Sequence, residues 1–328
     1  MVKIEHRSSF LFGVSFLVAA TGIWTWRRRS TSCTREIRTM VDALNHPNVH
    51  IKDRQHVNKL IQNFIQGGKQ KLQVVADFDR TMSRFKSEEG EIIATCHNAL
   101  DNNDQISDKF RMEATKLRDY YYKIEIDDSL SKEVKYPYMV EWWTKAHDLL
   151  VDCGLTRDMI SYSVKRSNIV LRDKTSWLLK ELHVHDVPLL IFSAGLGDII
   201  EEVIHQQHTM YSNIHIVSNY MDFNNQGTLV GFKGEIIHIY NKNENAIHES
   251  DYFEKLQHRE NIILMGDSLG DLNMADGASD SADILKIGFL NDKVEERLNV
   301  YKDAYDIVLA ADETMDIPNA IIRQVLES

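Results

Sequence analysis

From about residue 50 onward the chain alternates between two apolar patterns. Short, mainly apolar runs at residues 72–76, 188–192, 214–218, 261–265, 284–287 and 305–309 have the length and aliphatic content of buried strands. Between most of them, apolar residues recur at helical spacing, as at 198–205, 292–300 and 315–326. A further helix over 53–66 is marked by Val57, Leu60, Ile61, Phe64 and Ile65 and stopped by Gly67 and Gly68. Strands alternating with helices predict an α/β fold, a doubly wound (Rossmann-like) parallel sheet.

One interval breaks this rhythm. Residues 84–183 carry helical patterns at 107–122, 138–151 and 167–183 and no convincing strand. The interval is too long for a simple crossover, so it reads as an inserted helical cap over the strand ends, where caps exclude water and select substrate. The division this predicts is a terminal segment, 1–30; an α/β core, 31–83 and 184–328; and the cap, 84–183. Residues 8–26 are free of charge and abut Arg27, Arg28 and Arg29. A membrane span needs about 20 such residues, and the basic flank would keep the rest of the chain in the cytoplasm. We read a signal anchor making membrane contact; a cleaved secretory signal is the rival, but arginines stand where a small-residue cleavage site belongs.

The formal charge of −11 excludes a binder of polymeric nucleic acid, which needs a concentrated basic face. Cys33, Cys96 and Cys153 are odd in number and lack metal-type spacing, so neither a disulfide framework nor a zinc site is supported.

The chemistry gathers at strand ends. The run Leu72, Val74, Val75, Ala76 delivers Asp77 and Asp79, followed by Thr81. Residues two apart in an extended strand share a face, and the carboxyl ends of strands in open α/β sheets are where ligands sit. Two carboxylates there suit a hard cation such as Mg²⁺, and one can attack phosphorus while the other moves a proton. A second strand runs into Ser193, Ala194 and Gly195, and Gly197 and Asp198 open a helix, which suits an oxyanion. A third ends in Gly266, Asp267, Ser268, Leu269, Gly270 and Asp271: Asp267 is a further metal ligand and Asp271 an orienting partner behind it. Lys233, in a glycine-flanked turn, is the candidate cation for Asp77 and a phosphate.

In this order, DFDRT, Ser193, Lys233 and GDSLGD, the chain resembles the haloacid dehalogenase superfamily of phosphatases. Over residues 50–328 it is similar, more specifically, to the cytosolic type III 5′-nucleotidases, through YPYMVEWWTKAH (136–147), IFSAGLGDIIEEVI (191–204), SNYMDF (218–223), GFKGEIIHIYNKN (231–243) and MADG (274–277). The resemblance implies Asp77 as the nucleophile that becomes an aspartyl-phosphate and Asp79 as acid and then base. It implies Mg²⁺ held by Asp77, the Asp79 carbonyl and Asp267, phosphate held by Ser193, Ala194 and Lys233, and a base recognised by Glu125. The expected substrates are CMP, UMP and 7-methylguanosine monophosphate, in no order that the sequence sets.

Two positions depart from the family. Arg80 stands where relatives usually carry an apolar residue, and strand alternation directs it away from the carboxylates. Trp143 and Ala146 replace the Tyr and Ser of the pyrimidine-preferring branch and look like the branch that acts on 7-methylguanosine monophosphate. An indole face attracts a cationic base by about 0.5–2 kcal/mol, so Trp143 reads as the base-stacking residue and Trp142 as cap packing. The rivals are a phosphatase of another small metabolite, phosphoserine-like, and a membrane-tethered nucleotide-binding protein without turnover.

Overall fold

The computed structural model describes residues 43–100, 103–127, 129–242, 256, 258–276, 278–279 and 281–328. The chain divides into residues 1–46 and 47–328. Of the first unit, the described residues 43–46 make a turn closed by the His46 N–H on the Ala43 carbonyl, 3.1 Å. The anchor read over 8–26 and Cys33 lie outside the described residues, and among those described no helix is long and apolar enough to cross a membrane.

In the second unit, α1 (Arg54–Gly67) begins where the Asp53 carboxylate accepts the Gln55 and His56 N–H groups at 3.0 and 2.9 Å. It ends at Gly68, whose N–H closes on the Phe64 carbonyl at 2.9 Å. Val57, Leu60, Ile61 and Phe64 form its buried stripe.

Among the described residues eight strands form one sheet: β1 (Val49–His50), β2 (Leu72–Ala76), β3 (Leu189–Leu196), β4 (Ile214–Phe223), β5 (Leu229–Lys233), β6 (Asn261–Gly266), β7 (Asp283–Leu290) and β8 (Ile307–Ala310). Their order is β1-β8-β7-β6-β2-β3-β4-β5. The six central strands are parallel, as the alternating pattern predicts, whereas β1 and β5 close the two edges antiparallel. Neither edge strand was legible: β1 has two residues, and β5 reads as a glycine-containing turn. On one face Val75, Leu190, Phe192, Ile262, Leu264, Leu290 and Val308 form a single cluster with Tyr301 and Tyr305. The alternate positions Val74, Ile263, Leu285 and Ile287 are equally buried, so both faces are covered. The remaining helices of the core are α6 (Gly197–Gln207), α7 (Val294–Ala304) and α8 (Asp316–Leu326), close to the spans expected.

The interval between β2 and β3 holds α2 (Asp108–Glu125), α3 (Lys132–Asp152), α4 (Arg157–Arg166) and α5 (Thr175–Val184). Helices α2 and α3 pack together, with Trp142 stacked on Tyr121 at 5.9 Å, the packing role expected of Trp142. The helix expected over 167–183 starts only at Thr175, and α4 lies ahead of it. The stretch between them is extended because it is a linker. Leu171 pairs antiparallel with Ser83, the Arg84 N–H donates to the Val170 carbonyl and the Arg172 N–H to the Met82 carbonyl, each at 2.9 Å. The outgoing and returning chains are thus tied to each other beside the sheet.

Arg172 locks this crossing. Its guanidinium is fully buried over the Phe289 ring at 4.1 Å. It donates to the Thr81 carbonyl at 2.7 Å, the Arg80 carbonyl at 2.5 Å, Asn291 Oδ1 at 2.8 Å, Glu313 Oε2 at 3.1 Å and the Asp312 carbonyl. Burial lowers its pKa to about 10, and the Glu313 charge opposes that shift. An uncharged side chain would orphan these carbonyls and leave Glu313 uncompensated. Arg172→Met is therefore expected to lower the unfolding free energy by about 3–5 kcal/mol, read from urea denaturation; a loss below about 1 kcal/mol would contradict a locking role.

Candidate active site

Strand register brings the candidate residues to one edge of the sheet. β2 lies between β3 and β6, where the strand order reverses. Ala76 is level with Met265 on one side and Ile191 on the other, and the Asp77 N–H continues the ladder to the Met265 carbonyl at 3.0 Å. Asp77, Asp267 and the irregular end of β3 at Ser193 therefore emerge together.

Carboxylate oxygens of Asp77, Asp267 and Asp271 lie within 4.8 Å of one another. Asp271 is held from behind: its Oδ2 accepts the Asp267 and Ser268 N–H groups at 3.2 and 2.9 Å and the Ser268 hydroxyl at 2.9 Å. Gly266 is obligatory here, because a Cβ would sit 2.5 Å from that of Asp271. Gly270 lets Ile239 approach, where a Cβ would stand 2.4 Å from its side chain.

That approach brings in a residue the sequence pattern did not reveal. The cation at Asp77 is Lys242: its Nζ donates to Asp77 Oδ1 at 2.5 Å and Asp271 Oδ1 at 2.8 Å, with all three residues buried. Lys233 is the correction. It ends β5, opposite Tyr220 at the sheet's antiparallel edge, and is exposed. The sequence signal was weak because both lysines fall in the same block, GFKGEIIHIYNK, and only the path of residues 234–242 back over Gly270 separates them. Asn219 steadies that path: its Nδ2 reaches the Ala194 and Ile237 carbonyls at 2.9 and 2.8 Å, and its Oδ1 accepts the Ile237 N–H at 2.9 Å.

The charges do not balance among these residues. Burial raises Asp77 to about 7, against the pull of Lys242 and with Asp271 adding repulsion. Burial, then Asp271 and Asp77, push Asp267 well above the usual carboxylate range. Burial lowers Lys242, but Asp271 and Asp77 override it, so the ammonium stays charged. Three clustered carboxylates facing one ammonium have the donor chemistry of a hard divalent cation.

Asp79 leaves the strand direction altogether. Residues 78–82 form a tight kinked turn, in which Asp79 is extended and Arg80 takes a left-handed conformation, φ 65°. The Arg80 N–H donates to Ser83 Oγ at 2.8 Å, and its carbonyl accepts from Arg172 and from Asn291 Nδ2 at 3.0 Å. Strand alternation ends at Ala76 and so does not direct Arg80 away from the carboxylates: its positive charge acts on both Asp79 and Asp267. Asp79 Oδ1 accepts the Cys96 N–H at 2.9 Å; burial raises its pKa, opposed by bonding to Cys96 and by Arg80. Thr81 is fully buried, and its hydroxyl has no hydrogen-bond partner among the described residues.

Ser193 is buried and accepts the Gly195 N–H on its Oγ at 3.1 Å, which leaves the hydroxyl proton available to a ligand. The neighbouring Ala194 carbonyl accepts the Trp143 indole N–H at 3.0 Å, so the side chain from α3 is pinned to the irregular carboxyl end of β3. His97 meets the Trp143 ring edge-on, 5.9 Å between centroids. Glu125 sits at the end of α2, half-buried, its carbonyl accepting from Lys135 Nζ at 2.9 Å and from the Tyr240 hydroxyl at 3.4 Å. Burial lifts its carboxyl to about 7.

Known proteins are similar to this chain over most of its length. A family model described as pyrimidine 5′-nucleotidase (UMPH-1) matches residues 80–326. The chain is 48% identical over 286 residues to the 7-methylguanosine phosphate-specific 5′-nucleotidase of Homo sapiens, covering 87% of this chain and 95% of that protein. It is 47% identical over 283 residues to 7-methylguanosine phosphate-specific 5′-nucleotidase A of Xenopus laevis, covering 86% and 97%. The crystal structure of cytosolic 5′-nucleotidase IIIB bound to cytidine superposes with a TM-score of 0.77 at 35% identity, covering 87% of this chain and 95% of that one.

The raised Asp77 also predicts how stability varies with pH. Its folded value near 7 exceeds the ordinary 3.8, so its contribution is full below 3.8 and is lost as pH rises through 7. Metal-free protein is expected to melt at lower temperature at pH 8 than at pH 5.5, and Asp77→Asn to flatten the difference. Added Mg²⁺ is expected to raise the melting temperature more at pH 8 than at pH 5.5, since a ligand must lose its proton to bind; equal shifts at both pH values would count against the cluster as a cation site.

Proposed function

The chain belongs to the pyrimidine 5′-nucleotidase family and is a 5′-nucleotidase; we propose that it hydrolyses pyrimidine nucleoside monophosphates and 7-methylguanosine monophosphate to nucleoside and phosphate through an aspartyl-phosphate on Asp77. The observation that carries this reading is the convergence of Asp77, Asp79, Ser193 and Lys242 at one sheet edge, with Trp143 hydrogen-bonded to Ala194 beside Ser193.

In the first half-reaction the Asp77 carboxylate attacks phosphorus, and the bond to the ribose 5′-oxygen breaks as Asp79 gives that oxygen its proton. Burial keeps a proton on Asp79 at higher pH than an exposed aspartate would hold it, as an acid requires. In the second, Asp79 takes a proton from water, the oxygen attacks phosphorus, and the bond to Asp77 breaks. The Ser193 hydroxyl, the Ala194 main chain and the Lys242 ammonium hold the phosphate oxygens. Lys242 takes the part that the resemblance had given to Lys233.

Asp77, Asp267 and the main-chain carbonyl of Asp79 would hold Mg²⁺, which when bound supplies positive charge to the phosphate oxygens and favours ionised Asp77. Asp271 orients this set through Lys242 and the 267–268 main chain. Thr81 and Gly195 support the turn and the loop. The helices between Asp108 and Arg166 act as the cap, presenting Glu125 to the base edge and the Trp143 face to its ring. Relatives named as cytosolic support work in the cytosol. The apolar run 8–26 with its arginines supports membrane attachment of this chain.

Phosphate release from CMP, UMP and 7-methylguanosine monophosphate, with and without Mg²⁺, tests the whole reading. Asp77→Asn is expected to abolish turnover. Lys242→Met is expected to lower kcat/KM by about 10²–10³, whereas Lys233→Met remains near wild type; the reverse pattern would restore Lys233 to the site. Trp143→Ala should raise KM for 7-methylguanosine monophosphate by roughly 2- to 30-fold, the equivalent of a cation–π contact. Because burial puts Glu125 near 7, that KM is also expected to rise as pH falls below 7 and the carboxylate is neutralised.

A further inference from the structure

Residues 193–195 occupy the place where β3 loses its ladder. The register between β3 and β4 shifts between Phe192 and Leu196, so this stretch of backbone is held by side chains instead. Two of them come from β4. The Ser218 hydroxyl donates to the Gly195 carbonyl at 2.8 Å, and Asn219 Nδ2 donates to the Ala194 carbonyl at 2.9 Å and to the Gly195 carbonyl at 3.3 Å. Another comes from α3: the Trp143 indole N–H donates to the same Ala194 carbonyl at 3.0 Å. With Asn219 on one side and Trp143 on the other, both lone pairs of that oxygen are used. The peptide unit that carries the Ala194 carbonyl also carries the Gly195 N–H, which donates to Ser193 Oγ at 3.1 Å. The indole, the 194–195 peptide and the Ser193 hydroxyl therefore form one hydrogen-bonded chain. It runs beside the acid as well, since a Cβ on Gly195 would lie 3.2 Å from Ser193 Oγ and from Asp79 Oδ2.

Resting on the nucleotide reading above, we propose that Trp143 is a positioning residue for the phosphate as well as a surface for the base: its N–H fixes the 194–195 peptide and, through it, the Ser193 hydroxyl. The physical reason is geometric first. A single donor on the Ala194 carbonyl leaves the peptide free to pivot about that bond, whereas a second donor from a different element fixes its plane and so the direction of the Gly195 N–H. Polarisation adds to this. Every group in the chain donates in the same sense, from indole N–H to carbonyl, from amide N–H to hydroxyl oxygen, and from the hydroxyl proton to a phosphate oxygen, so each bond strengthens the next. The face and the N–H of one indole thus serve the two ends of the substrate separately, and a phenyl ring retains the first while lacking the second.

The test compares the dissociation constants of inorganic phosphate, which has no base, and of cytidine, which has no phosphate, read from the rise in melting temperature of the full chain with Mg²⁺. Trp143→Phe is expected to weaken phosphate roughly three- to tenfold, the fold-change that one hydrogen bond carries. Cytidine is expected to stay within about twofold of wild type, because an aromatic face remains. In Ser193→Ala protein the same Trp143→Phe change is expected to weaken phosphate by less than about twofold, since the hydroxyl it acts through is absent. An unmoved phosphate constant in Trp143→Phe, an equal loss for phosphate and cytidine, or an undiminished effect in the Ser193→Ala background overturns the inference, and wild-type turnover of CMP then leaves the nucleotidase reading intact. Wild-type protein that releases phosphate from neither CMP nor 7-methylguanosine monophosphate overturns both.

Discussion

An ammonium buried between two aspartates is the interaction on which the catalytic end of this molecule depends. Lys242 bridges Asp77 and Asp271, and those two carboxylates come from different strands of the sheet. In a poorly solvated place neither acid is tolerated without compensation, and a single cation shared by both provides it. Asp267 is not part of this bridge, and burial, then the Asp271 and Asp77 charges, push its pKa well above the usual range. Much of the local architecture serves the same cluster. Main-chain N–H groups of 267 and 268 point at Asp271, and the Tyr301 and Tyr305 hydroxyls donate to the carbonyls of Asp267 and Ser268 at 2.6 and 2.5 Å. The one-sided charge that remains is the physical preparation for a cation.

A second fixed point is Arg172. The turn of residues 78–82 would be strained on its own, and Arg172 holds it by two carbonyls while tying it to Asn291 and the 312–313 loop. Because Arg172 belongs to the linker that returns from the helical interval, the same bonds connect that linker to the catalytic turn. Separately, the Trp143 indole bonded to the Ala194 carbonyl links α3 to the carboxyl end of β3. The segment between β2 and β3 is thus tied to the sheet's catalytic end at two places, the 170–172 linker and Trp143.

The central sheet was legible because its strands are short and mainly apolar, a pattern that burial on both faces favours. The helix over 53–66 was legible through its spacing and its glycine stop, and the structure shifts it by only a residue, to 54–67. Elements without such patterns were not legible. β1 is two residues long, β5 contains Gly231 and is half-exposed, and residues 167–173 carry apolar side chains that face a linker crossing instead of a helix stripe. Local spacing does not distinguish these cases, because the partner that decides them is remote in sequence.

The same division runs through the site. By itself the sequence determined which strand ends carry carboxylates, since Asp77, Asp79, Asp267 and Asp271 follow apolar runs directly and strand direction then fixes the edge they occupy. It also determined that Ser193 stands at the same edge, for the same reason. Only the tertiary structure decided that Lys242 and not Lys233 meets Asp77, and that Arg80 sits in a left-handed turn against Phe85. Both depend on chain that has left the regular strand: residues 234–242 folding back over Gly270, and a turn whose left-handed residue is held by Arg172. Alternation specifies side-chain direction while a strand continues, and beyond its end direction is set by contacts between segments that the linear pattern does not contain.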